Sequence, residues 1–303
     1  MKQSLCTITS NVEISPDIHL MWLEAADIAA TAQPGQFITV RCEGLVLRRP
    51  LSVHQADSSR IALLFKIVGR GTLWLVQRQR GDKVDILGPL GNGFSVEPEA
   101  RNLLLVAGGI GIAPLVFLAQ RSAAQHSVTL IYGASMAKEL YAFSSLPLTF
   151  NSPLSKGEGK RRGEERSNLL SLPDSIRFIP VTEDGSMGKK GMVTDILPDF
   201  LDWADQVYAC GPIDMYKTML ACQPEPFAWC HSEGAERPKN LTQDKVRKES
   251  KLKRCQVSLE VRMGCGIGAC YGCTINTRKG LKKVCRDGPV FELDDILWEE
   301  VSI

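Results

Sequence analysis

Residues 263–274 read MGCGIGACYGCT, and no other stretch limits so sharply what the chain can fold into. Cys265, Cys270 and Cys273 stand at the spacing C-x4-C-x2-C, and Cys285 follows after a short hairpin-like stretch. This is the ligand spacing of plant-type [2Fe–2S] clusters. Three thiolates must converge from one short loop, and the backbone must wrap closely enough for its N–H groups to face the cluster sulfurs. Gly264, Gly266, Gly268 and Gly272 permit that wrapping, because glycine accepts positive φ and needs no side-chain room. Two other readings stand beside it. Structural zinc usually takes two separated C-x2–4-C pairs, whereas here three cysteines crowd together and the fourth stands apart. The pair Cys270 and Cys273 could be a redox dithiol, but no βαβ pattern surrounds it. Cys6, Cys42, Cys210, Cys222, Cys230 and Cys255 are scattered and read first as small core residues.

The 303 residues leave room for two domains and a small appendage. Residues 1–10 lack the apolar core of a signal peptide, so a disulfide framework is not expected and a cytoplasmic location is. The longest apolar run, residues 103–119, contains Gly108, Gly109, Gly111 and Pro114 and is too short to span a bilayer, so no membrane anchor is expected. A net charge of +2, without a basic stripe interleaved with aromatics, argues against nucleic acid as a partner.

Two rhythms divide the chain. Up to about residue 96, short apolar runs (12–14, 20–23, 37–40, 61–68, 84–87) alternate with turn residues, which suggests an antiparallel barrel or sandwich. From residue 102, strands at 103–107, 128–132, 177–181 and 206–209 alternate with helical stretches at 114–125 and 194–201, the pattern of a parallel α/β sheet. Residues 151–167 and 231–254 are charged, lack apolar periodicity and read as solvated insertions. The expected fold is multidomain α+β. An antiparallel β-barrel occupies 1–96, an α/β nucleotide-binding domain 97–230, a polar linker 231–254, and a small cluster domain 255–303.

The strand at 103–107 runs into AGGIGIAP. A strand, a glycine turn and a helix opened by proline form a site for a pyrophosphate: the backbone can approach it, and the helix N-terminus supplies N–H groups. Pro114 stands where a dinucleotide fingerprint would have its third glycine, so a plain strand–helix connection is the competing reading. Arg49 beside Ser52, in RPLS, suits a phosphate grip of a forked cation and a neutral donor; the alternative is a surface arginine at a strand end. Gly71 and Thr72 could add backbone donors or simply turn a hairpin. Cys210 falls at the carboxyl end of a strand, where open parallel sheets bind ligands, or is a buried structural cysteine.

RPLS, GPLGNGF, AGGIGIAP and ACGP together resemble the ferredoxin reductase-type flavoproteins, and CGIGACYGC followed by VCRDGPVF narrows the resemblance. The chain is similar, over nearly its whole length, to the electron-transfer subunit of class 1B dihydroorotate dehydrogenase. The resemblance implies FAD against the barrel, with Arg49, Pro50, Leu51 and Ser52 along the flavin and its phosphates. Leu64, Phe65, Lys66, Gly71 and Thr72 would complete that site. It implies NAD on the turn of Gly108, Gly109, Gly111 and Pro114, with Cys210 near the nicotinamide as the catalytic residue. Cys265, Cys270, Cys273 and Cys285 would ligate the cluster. The implied partner is an FMN-containing catalytic subunit in a heterotetramer that oxidises dihydroorotate. Relatives that serve other complexes, such as ferredoxin:NADP oxidoreductase or sulfide dehydrogenase, and a zinc-stabilised binding module are the alternatives. Many ferredoxin reductases end in an aromatic residue on the flavin; this chain ends in Val301, Ser302 and Ile303.

Overall fold

The structure is a computed structural model and describes residues 1–140, 175–221 and 254–301. The insertion expected at 151–167 lies outside the described residues, as do Cys222, Cys230, Ser302, Ile303 and all of the expected linker except Arg254.

Six antiparallel strands close a barrel: β1 (Lys2–Ser15), β2 (Ile18–Glu24), β3 (Phe37–Arg41), β4 (Arg49–Ala56), β5 (Arg60–Lys66) and β6 (Lys83–Leu90), in the order β1-β2-β5-β4-β3-β6. The period of two that marks a strand decides which side chains fill it. Ile38 and Val40 enter the barrel core, with Ile8, Met21, Leu63 and Phe65. Phe37, on the opposite face of β3, belongs instead to the buried cluster that also holds Leu90, Cys273 and Cys285. β1 begins ten residues before the run at 12–14 because only alternate residues, Cys6 and Ile8, are buried there while Leu5 faces solvent. Threonine and serine between them hide the alternation from an apolar-run reading. Two short helices, α1 (Ala26–Ala29) and α2 (Arg70–Val76), cover the barrel rim.

The second half is a seven-stranded sheet. Its parallel strands are β7 (Asn102–Gly108), β8 (Ser127–Ala134), β9 (Ile176–Thr182), the two-residue β10 (Lys189–Lys190), β11 (Gln206–Cys210) and β12 (Cys255–Ser258). A hairpin follows, β13 (Thr274–Thr277) and β14 (Gly280–Lys283), and then β15 (Val290–Glu292) returns antiparallel to the sheet edge. The order is β10-β9-β8-β7-β11-β12-β15. The segment expected to be a separate domain from residue 255 therefore contributes β12 and β15 to the central sheet, and only the residues between them form the appendage.

The helix expected at 114–125 is α3 (Ile112–Ser122); it starts earlier because proline is tolerated in a first helical turn. The helix expected at 194–201 is two single turns, α4 (Val193–Ile196) and α5 (Pro198–Leu201), interrupted where Pro198 lacks an N–H. α6 (Ile213–Ala221) follows β11. One face of the sheet and α3 pack on the outer wall of the barrel through Ile18, Leu20, Trp22 and Leu64. Phe117 of α3, 1% exposed, reaches the barrel core itself, a burial contributing ~2 kcal/mol. His54 on β4 donates Nδ1–H to the Ala113 carbonyl at 2.7 Å, fixing α3 to the barrel.

Candidate functional site

The cluster loop leaves β12 and wraps between Gly264 and Cys273. Gly266 and Gly268 take φ of +72° and +85°, values a residue with a Cβ adopts only under strain. The wrapping aims backbone N–H groups at sulfur. Cys265 Sγ accepts from Ala269 (3.2 Å), Cys270 (3.4 Å) and Ile267 (3.5 Å); Cys285 Sγ accepts from Gly268 at 3.1 Å; Cys270 Sγ accepts from Gly272 at 3.4 Å. The Cys285 N–H points at Cys273 Sγ, 3.4 Å away. The thiols fall into two touching pairs, Cys265 with Cys270 and Cys273 with Cys285. Cys265, Cys270, Cys273 and Cys285, with the N–H donors around them, have the chemistry to hold a [2Fe–2S] cluster.

The same contacts set the thiol acidities. Burial raises the Cys265 thiol, but the Ile267 and Cys270 N–H groups, the Cys270 thiol and the Ala269 N–H outweigh it and bring it down to about 6. Burial, then the Cys273 thiol, push Cys285 up to about 12 against the Gly268 N–H. The loop's outer side is held by cations that the spacing analysis did not single out. Lys283 donates to the Gly268 carbonyl at 2.8 Å and lies 3.8 Å over the Tyr271 ring, and Arg286 packs against Gly268. Their positions within two residues of Cys285 were the available signal.

GPLGNGF and VCRDGPVF, far apart in sequence, meet here. Asn92 donates its backbone N–H to the Gly288 carbonyl at 2.5 Å and its side-chain amide to the Asp287 carbonyl at 3.0 Å. Gly91 has no Cβ because one would stand 2.5 Å from the Gly288 oxygen. A shallow cavity of about 190 Å³ lies between the barrel and the loop, lined in part by Leu90, Gly266 and Cys285.

The start of β4, Arg49 to Ser52, expected along a flavin, is a half-exposed ledge. The two neighbouring arginines have different work. Arg48 is held by Asp85 at 2.8 Å, a barrel-wall ion pair. Arg49 donates to the Leu47 carbonyl at 2.6 Å and lies across Gly71, where a Cβ would stand 2.3 Å from its Nε. Thr72 Oγ1 accepts from the Val68 and Gly69 N–H groups and so shapes the turn into α2. Leu64 and Phe65 are buried, Phe65 inside the barrel at 5.9 Å from the His19 ring; their side chains are core, and Lys66 is exposed at the rim.

The nucleotide turn sits where the sheet reverses its winding. From β7 the chain goes to β8 and β9 on one side and to β11 and β12 on the other, so the crevice lies at the carboxyl ends of β7 and β11. Gly108 and Gly109 face that crevice, while Gly111 and Pro114 are buried. A Cβ on Gly111 would stand 2.1 Å from the Cys210 carbonyl oxygen. The two turns thus touch backbone to backbone. Cys210 is 9% exposed, and burial first, then Glu260, push its thiol up to about 12. Tyr216, for which the sequence carries no signal, accepts from the Gly211 N–H at 2.9 Å and donates to the Ser258 carbonyl at 2.8 Å.

A six-stranded flavin-type barrel, a parallel sheet with its crevice at the switch point, and a four-cysteine loop define a ferredoxin reductase-type flavoprotein with an iron–sulfur appendage. Residues 260–297 match the family described as the iron–sulfur cluster binding domain of dihydroorotate dehydrogenase B. The chain is 34% identical to the dihydroorotate dehydrogenase B (NAD(+)) electron transfer subunit of Desulforamulus reducens, over 94% of this chain and 95% of that one. It is 33% identical to the same subunit of Caldanaerobacter subterraneus, over 96% and 97%. Among solved structures it superposes with TM-score 0.73 and 25% identity on an NADH-dependent reduced ferredoxin-NADP oxidoreductase, covering 98% of this chain and 91% of that one. A Neisseria gonorrhoeae ferredoxin NADP+ reductase shares the fold over 73% of this chain and 90% of its own length, at 17% identity and TM-score 0.55. The chain belongs to the family of dihydroorotate dehydrogenase B electron transfer subunits.

Proposed function

We propose that this chain carries electrons from a catalytic subunit that oxidises dihydroorotate to NAD+, through a [2Fe–2S] cluster held by Cys265, Cys270, Cys273 and Cys285 and through FAD. The observation that carries this reading is one continuous surface of the barrel. Gly266 of the cluster loop rests on Thr39, whose strand partner is Pro50 of the flavin ledge. A cluster exchanges single electrons, nicotinamide takes a hydride, and flavin chemistry converts one into the other. The residues supply position. Arg49 and the turn at Gly71 and Thr72 hold the FAD phosphates, and Pro50, Leu51 and Ser52 line its ring. The turn at Gly108 and Gly109 receives the NAD pyrophosphate, and Cys210 and Gly211 border the nicotinamide. Ser135 donates to Glu183 at 3.1 Å at the end of β8, so an acidic side chain stands where an NADP 2′-phosphate would need a cation.

The partner docks where the loop is open: Cys270 and Tyr271 are exposed there, with Ile267 47% exposed beside them. The complex is a heterotetramer with an FMN-containing catalytic subunit. No helix among the described residues is long and apolar enough to cross a membrane. Co-expression with such a subunit tests the assignment: dihydroorotate must reduce NAD+ in the complex and not with either chain alone. Activity with reduced ferredoxin instead of dihydroorotate would favour a second reading, a reductase subunit like the solved oxidoreductase, which the TM-score of 0.73 supports.

A further inference from the structure

The peptide unit between Gly268 and Ala269 is held at both ends. Its N–H, on Ala269, donates to Cys265 Sγ at 3.2 Å. Its carbonyl, on Gly268, accepts from Lys283 Nζ at 2.8 Å. One rigid planar unit thus joins an ammonium to a cysteine sulfur. The surroundings of Lys283 place it for this. Lys283 pairs with Thr274 across the β13–β14 hairpin, and its backbone N–H donates to Asp287 at 2.8 Å. Its ammonium lies 3.8 Å from the centre of the Tyr271 ring, a cation–π contact that guides the chain over the loop. Tyr271 holds a left-handed φ of 59°, and its carbonyl accepts from the Thr274 N–H at 3.2 Å and the Thr274 hydroxyl at 2.7 Å. Among the described residues the ammonium enters no ion pair, so its charge is directed at a carbonyl and not cancelled by a carboxylate.

A carbonyl that accepts from a cation draws electron density from its own amide, and hydrogen bonds in a chain strengthen one another. The Ala269 N–H is therefore a stronger donor to Cys265 than a peptide whose carbonyl faces water. We propose that Lys283 is a positioning residue that acts through the Gly268–Ala269 peptide on Cys265 and raises the reduction potential of the [2Fe–2S] cluster. Reduction adds negative charge to the sulfurs, so a stronger donor stabilises the reduced form more than the oxidised one. The inference rests on the cluster reading above and adds to it a residue that is not a ligand.

The test compares wild type, Lys283→Met, Lys283→Arg and Lys282→Met as full chains loaded with cluster and FAD. Lys282 is the control: it neighbours Lys283 on β14, and alternation along a strand sends its side chain to the other face. Iron content is measured first, then the cluster midpoint by EPR and the flavin midpoint by absorbance. The expected result is equal iron in all four chains and a cluster midpoint moved to more negative potential in Lys283→Met. Lys283→Arg, which keeps charge and donor, should stay near wild type, as should Lys282→Met, with the flavin midpoint the same throughout. An unmoved cluster midpoint in Lys283→Met, a shift confined to the flavin, or an equal shift in Lys282→Met overturns the proposal. Lys283→Gln replaces Lys283→Met if the methionine chain loses its cluster, with the same outcomes; loss of cluster from both would make the role structural and also overturn it. A wild-type chain without cluster signals after reconstitution would instead overturn the cluster reading, and this inference with it.

Discussion

The cluster loop and the nucleotide turn are both rich in glycine, and the glycines serve different needs. Gly266 and Gly268 have φ of +72° and +85°; the loop needs their dihedral freedom to wrap around the thiols. Gly111 has an ordinary helical φ of −60° and is there for space, because the Cys210 carbonyl is where its Cβ would be. The cluster loop does its chemistry with side chains, which are named in the sequence. The nucleotide turn does its work with backbone, which many sequences could supply. That difference explains why the four cysteines point to one chemistry while AGGIGIAP leaves two readings open.

If the two loops are separate devices, each can be broken alone. Cys270→Ser should abolish the cluster's visible absorption while NADH still reduces the flavin; loss of both would show that the loops depend on one another. Gly111→Ala should cost about 3 kcal/mol at the nucleotide turn, since the obstacle is main chain and cannot swing aside. That corresponds to roughly a hundredfold weaker NADH binding by titration, with cluster absorption unchanged.

Acid offers a second way to weaken the nucleotide half. Burial first holds His54 down to about 4, with the Ala113 carbonyl acting in the opposite sense. Its unfolded value is about 6.5, so the unfolded chain takes up the proton first as pH falls. The stabilisation is full above pH 6.5, declines as pH drops, and is gone below pH 4, an upper bound of about 3 kcal/mol. Thermal unfolding between pH 7 and 4.5 should show this slope, and His54→Leu should flatten it.

Two smaller effects sharpen the contrast. Arg49→Ala should weaken FAD binding by about 2 kcal/mol, read as a roughly thirtyfold rise in the dissociation constant, and leave both loops intact. Gly268→Ala should cost only about 1 kcal/mol of thermal stability with the cluster retained. Its Cβ would stand 2.9 Å from Arg286 Cδ, which can swing aside, and 3.1 Å from Arg286 Cβ, which must give by a few tenths of an ångström on top of the dihedral strain.

The barrel, the parallel sheet and the cysteine loop were legible because each is announced by local spacing or periodicity. What escaped was long-range. β12 and β15 join the central sheet although the sequence places them after a polar stretch, because strand pairing carries no mark in a four-residue run such as Cys255–Ser258. Leu64 and Phe65 were expected along the flavin; their side chains are buried, and a strand's two faces are told apart only when its neighbours are known. Tyr216 and Thr39 look like ordinary helix and strand residues until the segments they touch are folded against them. GPLGNGF and VCRDGPVF drew notice as motifs, and their shared reason is that they pack on each other.

The central claim is that one chain holds flavin and cluster in electronic contact. The direct measurement is an anaerobic absorption spectrum of the purified protein before and after addition of NADH. The account predicts flavin bands with an iron–sulfur shoulder, both bleached by NADH. Flavin bands that bleach while the cluster stays oxidised at a potential it could accept, or a protein with no cluster absorption at all, would contradict it.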